Sequence, residues 1–528
     1  MVDLRPDQLA TVRAILLAEV PDCEVLAFGS RAKWTAKDSS DLDLALRAAH
    51  PLPLSRLGRL RDAFEESYLP VKVDVLDIHR ISPEFRSIIE KEHVMLQKPN
   101  TAPGHPEREK QWRTMPLEEC METIIDYRGK TPRKVDRGIP LITAKVVKGG
   151  RIEEPNEFLA PEDYEGWMRR GLPKPGDVLL TMEAPLGEVA QLDERKVALA
   201  QRLVALRGKS SLMDNTFLRY ALQSETVQDQ LRSRATGTTV QGIRQSELRK
   251  ISLPVPSMEE QRKIARVLRT LDDKIELNRR MDTTLEAMAR ALFQSWFVDF
   301  DPVRAKLDGR DPIGLDPETA ALFPAAFEES SLGEIPKGWR TGTFGELVEL
   351  RTDRLDAKPS KDHLRYIALE DMPSKSIDLS GFQLGSAVNS SIIAFRKGDV
   401  LFGSMRPYFH KVGLTFFDGI TRTTTFVLRP RKDCFRHFAL LHFFSDDVVA
   451  YSTTASVGTT IPYVKWESLE SYRVPMPPDS LLAVFEEAVS PLVQRIASQG
   501  EESLTLTTLR DTLLPKLLSG ELSVLNLQ

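Results

Sequence analysis

Cysteine is scarce in this chain. Three occur in 528 residues, Cys23, Cys120 and Cys434, far apart and odd in number. That excludes a disulfide framework and a cysteine-spaced metal site, and it fits a reducing compartment. An excess of one charge sign is missing too. With 72 basic and 76 acidic residues the net charge is −4, so bulk charge does not announce nucleic-acid binding, although a local basic face can sit inside such a balance. No run of 18 apolar residues occurs, and the opening MVDLRPDQLATVRAILLAEV lacks a basic-then-apolar signal pattern. The expectation is a soluble, cytoplasmic protein with no membrane partner. There is no G-x-x-x-x-G-K-S/T phosphate loop and no Asn-Pro-Pro or Asp-Pro-Pro run of the amino-methyltransferase kind.

What is present begins with size. At roughly 150 residues per domain, the length allows about three or four domains, and a hydrophobic content of 41% is enough for real cores. A heptad seam runs through Ile264, Leu268, Leu271, Ile275, Leu285, Ala289, Leu292 and Trp296, with polar residues at Asn278 and Asp282. The same register recurs 221 residues later at Phe485, Val489, Leu492, Ile496, Leu506, Leu513 and Leu517, again with a polar middle, Gln499 and Ser503. Two long helices with one register should pack on each other. If antiparallel, Asn278 and Asp282 would face Gln499 and Ser503. Pro491 should kink the second helix, and Gly500 should bend it again.

The repeat extends beyond the helices. Trp112-Arg113-Thr114 returns as Trp339-Arg340-Thr341, and Gly176-Asp177-Val178-Leu179 as Gly398-Asp399-Val400-Leu401. Gly237-Thr238-Thr239-Val240 returns as Gly458-Thr459-Thr460-Ile461, and Leu253-Pro254-Val255-Pro256 as Val474-Pro475-Met476-Pro477. The near-constant offset argues for an internal duplication. Each unit reads as a mixed, strand-rich domain followed by a long helix. The loop SMRPYFHKVG in the second unit is aromatic and basic, whereas its match, TMEAPLGEVA, is acidic. If these loops face a ligand, the two units read different ligands.

Residues 1–97 are different in kind. A helix over Asp7–Glu19 precedes a strand ending at Phe28, a Gly29-Ser30 turn, and a strand carrying Asp41 and Asp43. Residues two apart on a strand share a face. A third strand, VKVDVLDI, offers Asp74. Three carboxylates on adjacent strands can hold Mg²⁺, a hard cation that takes oxygen ligands, and the Gly29-Ser30 turn can aim backbone N–H groups at a phosphate. A bare Asp-x-Asp also suits an ordinary exposed strand. Residues 98–111, KPNTAPGHPEREKQ, read as a linker.

Two resemblances follow from these motifs. The sequences GSRA, SDLDLAL and VDVLDI make residues 20–97 resemble the minimal nucleotidyltransferases of the polymerase-beta type. The resemblance implies that Gly29 and Ser30 hold nucleotide phosphates and that Asp41, Asp43 and Asp74 hold the metals and serve catalysis. Mg²⁺ and ATP would be the cofactors, AMP transfer to a protein or RNA hydroxyl the reaction, and a helical toxin a conceivable partner for which the domain is antitoxin; a retained but idle fold is the alternative.

The order of parts from 112 to 520, the GTT loops, the V-P-x-P entry to each helix and the stretch FVDFDPVRAKLDGRDPIGLDPETAALFP resemble the specificity subunit of type I restriction-modification systems. That implies an α+β multidomain chain: a nucleotidyltransferase-like α/β domain (1–97), the linker (98–111), two mixed α/β target-recognition domains (112–256 and 339–478), spacer helices (257–297 and 479–520) forming an antiparallel coiled coil, and a connector (298–338). Its implied role is non-catalytic: to read a bipartite double-stranded DNA target and dock methyltransferase (M) and restriction/motor (R) subunits, which use S-adenosylmethionine and ATP. Candidate DNA contacts, by side-chain chemistry, are Lys145, Thr238, Thr239, Gln241, Arg244, Arg406, Tyr408, Thr459, Thr460, Tyr463 and Lys465. The GTT loops equally suit a plain turn before the helix.

Overall fold

A computed structural model describes residues 2–37, 40–48, 51–52, 54–65, 67, 69–99, 112–127, 132–237, 240–355, 363–387 and 391–524. The chain divides into two units, Met1–Gln111 and Trp112–Gln528. Among the described residues no helix is long and apolar enough to cross a membrane.

In the first unit, helix α1 (Pro6–Glu19) leads to β1 (Glu24–Phe28), a one-turn helix α2 (Gly29–Ala32), β2 (Leu42–Arg47), α3 (Leu54–Glu65), β3 (Val73–Asp77), α4 (Pro83–Lys91) and β4 (Val94–Gln97). The sheet order is β3-β2-β1-β4. β1 runs antiparallel to β2 and β4, and β2 runs parallel to β3. Val25, Leu44 and Leu46 pack with Val12, Leu16, Leu60 and Phe64. Leu26 and Ala45, with Ile89 of α4, form a second small cluster. The alternation that splits each strand between two clusters is the period-2 pleat.

The second unit is the same construction twice. First come β5 (Arg113–Pro116), β6 (Met121–Asp126), β7 (Val178–Met182), β8 (Leu186–Gln191), β9 (Leu203–Gly208), β10 (Ser252–Val255) and the long helix α5 (Met258–Phe293), extended by a π turn over Gln294–Val298. Then come β11 (Arg340–Thr343), β12 (Val348–Arg351), β13 (Val400–Gly403), β14 (Val412–Leu414), β15 (Thr425–Pro430), β16 (Arg473–Met476) and α6 (Asp479–Leu518). One sheet runs β6-β9-β7-β8 and its counterpart β12-β15-β13-β14. Each repeat is also zipped shut by its first and last strands, β5 with β10 and β11 with β16.

A buried ion pair repeats with the sheets. Asp177, 1% exposed, accepts two hydrogen bonds from Arg207 at 2.8 and 2.7 Å and one from the Lys174 amide. Asp399 does the same with Arg429, at 2.8 and 2.7 Å, and with the Arg396 amide. The carboxylate left by the Gly-Asp turn is thus fully satisfied where it enters the buried strand, as an interior charge must be.

The long helices are antiparallel. Asp272 meets Arg510, Asn278 meets Ser503, Met281 meets Gln499, and Phe297 meets Phe485. Each end of the pair completes one repeat. Ile264 and Leu268 join Leu517 and Leu518 in the first core, and Ala289, Phe293 and Trp296 join Phe485, Val489 and Ile496 in the second. Asp272 accepts from Arg219, Tyr220 and Arg510, tying the first repeat to both helices. Glu286 accepts from Ser376 Oγ at 2.6 Å and the Ile377 amide at 2.9 Å, tying the second repeat to α5.

Two expectations about the helices change. α6 runs unbroken through Pro491, which lies on its exposed face, as does Glu487, whose carbonyl the proline leaves without its usual amide partner. Gly500 is a close approach rather than a bend: a Cβ there would lie 1.8 Å from Ser380 Oγ. Asn278, fully buried, does donate to Ser503 Oγ (3.2 Å) and to Glu502 Oε2 (2.8 Å). Asp282, one turn further on, also has the carboxylates of Asp378 and Glu286 close by. Its carboxyl is pushed up to about 7, first by burial and then by those two carboxylates.

Candidate nucleotide site and nucleic-acid interface

In the first unit, chain geometry gathers the motif residues. β1 ends at Phe28, paired with Asp43, and Asp43 is paired in turn with Asp74. Gly29 adopts φ +73°, and a Cβ on it would lie 2.3 Å from Asp43 Oδ2. Only glycine fits there, both for its left-handed backbone and for the carboxylate above it. Arg31, 6% exposed, fixes the turn by donating to the carbonyls of Ser40 (2.8 Å) and Asp3 (2.9 Å). Ser30 lies in the one-turn helix and its carbonyl accepts from the Thr35 amide. Asp41 precedes β2 by one residue and is exposed.

Asp43 is held above the usual carboxylate range by partial burial, then by the charges of Asp74 and Asp41. Negative charge crowded at one place, on oxygen ligands alone, fits a hard cation. Asp74 is turned to Lys72 Nζ at 2.8 Å. Among the described residues no three His, Cys, Asp or Glu side chains converge as a metal cluster.

In the second unit the two loops singled out in each repeat come together. Glu183 bridges Gly242, which bridges Thr236; Met405 bridges Tyr463, which bridges Val457. Gln241 and Arg244 are exposed; Arg244 lines a cleft with Glu183 and Arg202, which lie 2.8 Å apart as an ion pair, and Gln241 lines another with Ala184 and Pro185. Thr238 and Thr239 lie outside the described residues. In the second repeat Arg406, Tyr408, Thr459, Thr460, Tyr463 and Lys465 are all exposed, and the Arg406 amide donates to the Pro462 carbonyl at 2.7 Å. Lys145 is exposed on a separate short helix, Ala144–Val146.

Sequence reasoning missed Arg202, whose φ is +72°, and Phe409, 45% exposed beside Tyr408. The Arg-Pro-Tyr-Phe run was the available signal for Phe409. Nothing local to Arg202 announced it.

Comparison with known proteins divides at the same place. The family described as "Type I restriction modification DNA specificity domain" matches residues 110–287, and "Polymerase beta, Nucleotidyltransferase" matches residues 23–101. The chain is 27% identical over 373 residues to the type I restriction enzyme MjaIX specificity subunit of Methanocaldococcus jannaschii, covering 66% of this chain and 78% of that protein. It is 47% identical over 97 residues to the probable protein adenylyltransferase MntA of Haemophilus influenzae, covering 18% of this chain and 85% of that protein. A crystal structure of a type I restriction-modification S subunit from M. genitalium aligns over 78% of this chain and 98% of its own, with 16% identity and a TM-score of 0.45. Residues 110–287 thus carry the DNA specificity domain of type I restriction-modification systems, and residues 23–101, in front of it, a nucleotidyltransferase domain of the polymerase-beta family.

Proposed function

We propose that residues 112–520 are the sequence-specific DNA-reading subunit of a cytoplasmic type I restriction-modification complex. Residues 112–256 and 339–478 each read one half of a bipartite site, and helices 257–297 and 479–520 set the distance between the halves; 298–338 connects them. The carrying observation is that both ends of one antiparallel helix pair complete both repeat cores. The 36 residues of α5 span roughly 54 Å at about 1.5 Å per residue, enough to bridge more than one turn of DNA, about 34–36 Å. Lys145, Thr238, Thr239, Gln241, Arg244, Arg406, Tyr408, Thr459, Thr460, Tyr463 and Lys465 contact the duplex. Methyltransferase subunits dock along the helices and a restriction subunit joins them; S-adenosylmethionine and ATP chemistry belong to those partners. The test is a gel shift with the purified partner methyltransferase on methylation-mapped genomic sites. A sequence-selective complex is expected, and its absence sinks the reading.

A second activity is favoured by the Gly29–Asp43 packing. In it, residues 1–97 transfer AMP from ATP to a protein or RNA hydroxyl, and 98–111 link them to the rest. Gly29 and Ser30 would hold the phosphates, and Asp41, Asp43 and Asp74 would hold Mg²⁺, which supplies charge neutralisation of the triphosphate. Lys72 must release Asp74 when the ion binds. Labelled ATP with Mg²⁺ tests this. Label transfer to the chain, its partners or a co-encoded helical toxin should vanish in Asp41→Ala plus Asp43→Ala, and no transfer by the unaltered chain means an idle domain.

A further inference from the structure

The two recognition surfaces differ at one knuckle. In the second repeat Arg406 and His410 both take left-handed backbone angles, φ +49° and +51°, which non-glycine residues adopt only at a cost. Between them Pro407–Phe409 makes a single tight turn. The base of the knuckle is fixed from three sides. The His410 ring, 4% exposed, bonds the Phe444 carbonyl at 2.8 Å and stands edge-on to the Phe444 ring. The Arg406 amide donates to Pro462, and the Lys375 amide donates to the His410 carbonyl at 2.9 Å.

On this rigid base two rings face outward, Tyr408 at 50% and Phe409 at 45% exposed, edge to face at 4.8 Å. The neighbouring loop adds Ile461 at 45% and Tyr463 at 43% exposed. Arg406 and Lys465 are exposed in the same two loops, and at the base Asp446 sits 3.4 Å from His410 Nδ1. The first repeat holds Ala184-Pro185-Leu186-Gly187 at the matching positions. Ala184 has the same left-handed angle, φ +50°, but the chain enters strand β8 at Leu186, so the first repeat has neither the tight turn nor the rings.

We propose that the Tyr408–Phe409 pair is a wedge that stacks on and partly opens one base step in the half-site read by the second repeat, and that the first repeat reads its half-site without opening it. The proposal rests on the DNA-reading function above. Bases stack on exposed aromatic rings whatever their identity, and apolar side chains pushed between base pairs kink the duplex. Arginine and lysine flanking the rings suit the phosphates on either side of such a step. A pyrimidine–purine step opens most easily, so the second half-site should carry one at the contact position.

The test uses the full chain with its partner methyltransferase. The duplex carries both half-sites, with 2-aminopurine placed in turn at each position other than the methylated base. Fluorescence should rise at one step of the second half-site and at none in the first. In Tyr408→Ala plus Phe409→Ala that rise should vanish and binding should weaken roughly 5- to 150-fold, the range of one lost base–aromatic stack, with an unchanged salt slope because no phosphate contact is lost. Tyr408→Phe should keep the rise. A rise that survives the double substitution, a rise in both half-sites, or a loss traced to methyltransferase affinity measured without DNA overturns the wedge. A selective complex with no fluorescence change also overturns it while leaving the DNA-reading function standing; no selective complex at all removes both.

Discussion

Gly500→Ala should destabilise this protein, against the usual sign of the substitution. In a helix interior, alanine is favoured over glycine by about 1 kcal/mol. Gly500 is buried in α6, and an added Cβ would lie 1.8 Å from Ser380 Oγ, 2.6 Å from Ser380 Cβ and 3.2 Å from Asp378 Oδ1. The loop cannot simply retreat. Ser376 and Ile377 are bonded to Glu286, the Ser380 amide to Asp378, and Leu379 is 2% exposed. Overpacking such a site costs typically 1–3 kcal/mol, and a displaced hydrogen bond adds about 1. After the propensity gain the net loss is about 1–3 kcal/mol. Hydrogen exchange over residues 376–380 and 496–504, with the thermal transition of the full chain, reads it. Adding Ser380→Gly removes both clashing side-chain atoms and should restore most of the loss. A Gly500→Ala chain more stable than the parent, with no coupling to Ser380→Gly, would refute the reasoning.

Asp399→Ala leaves Arg429 half-stranded beside a buried strand and should cost about 2–4 kcal/mol in unfolding, with Asp177→Ala doing the same to the first repeat. Asp282 has its folded pKa raised to about 7 from 3.8. A raised acid contributes fully below its unfolded value and loses that contribution as pH climbs through the folded one. Stability of the helix seam should therefore fall between about pH 4 and 7, and Asp282→Asn should flatten that slope in melts across this range. Arg244→Ala and Lys465→Ala should each weaken DNA binding for all sequences and lower the salt slope by about 1, read from affinities at several salt concentrations.

The helix pair was legible because a heptad seam repeated at a fixed offset needs no other information than the period. Its polar middle was legible for Asn278 and Ser503, which do meet. The carboxylate that crowds Asp282 was not, because Asp378 comes from a loop about a hundred residues away in the second repeat. Pro491 misled through a rule about helix interiors that does not say which face the proline occupies. Gly500 misled similarly: its role is set by Ser380, distant in sequence. In the first unit, the spacing of Gly29, Asp43 and Asp74 told which strands would be neighbours, since Asp43 pairs with both Phe28 and Asp74. The Lys72 contact that turns Asp74 aside was not visible, because strand alternation alone puts Lys72 and Asp74 on one face without saying that they pair. Among the proposed DNA contacts, the GTT loops and the loops after β7 and β13 were found as repeats; that they touch was not, because contact between loops depends on closure of each repeat by its first and last strands.

The most direct test of the account is the distance between half-sites. On duplexes carrying both halves of a methylation-mapped site, with the intervening base pairs lengthened or shortened one at a time, the complex of this chain with its methyltransferase should bind tightly at one spacing only. A single added pair rotates and shifts one half-site relative to a helix ruler whose two ends are fixed in the two repeat cores, so affinity should drop toward the non-specific level. Equal affinity across spacings would contradict the claim that the antiparallel helices set where the two repeats read.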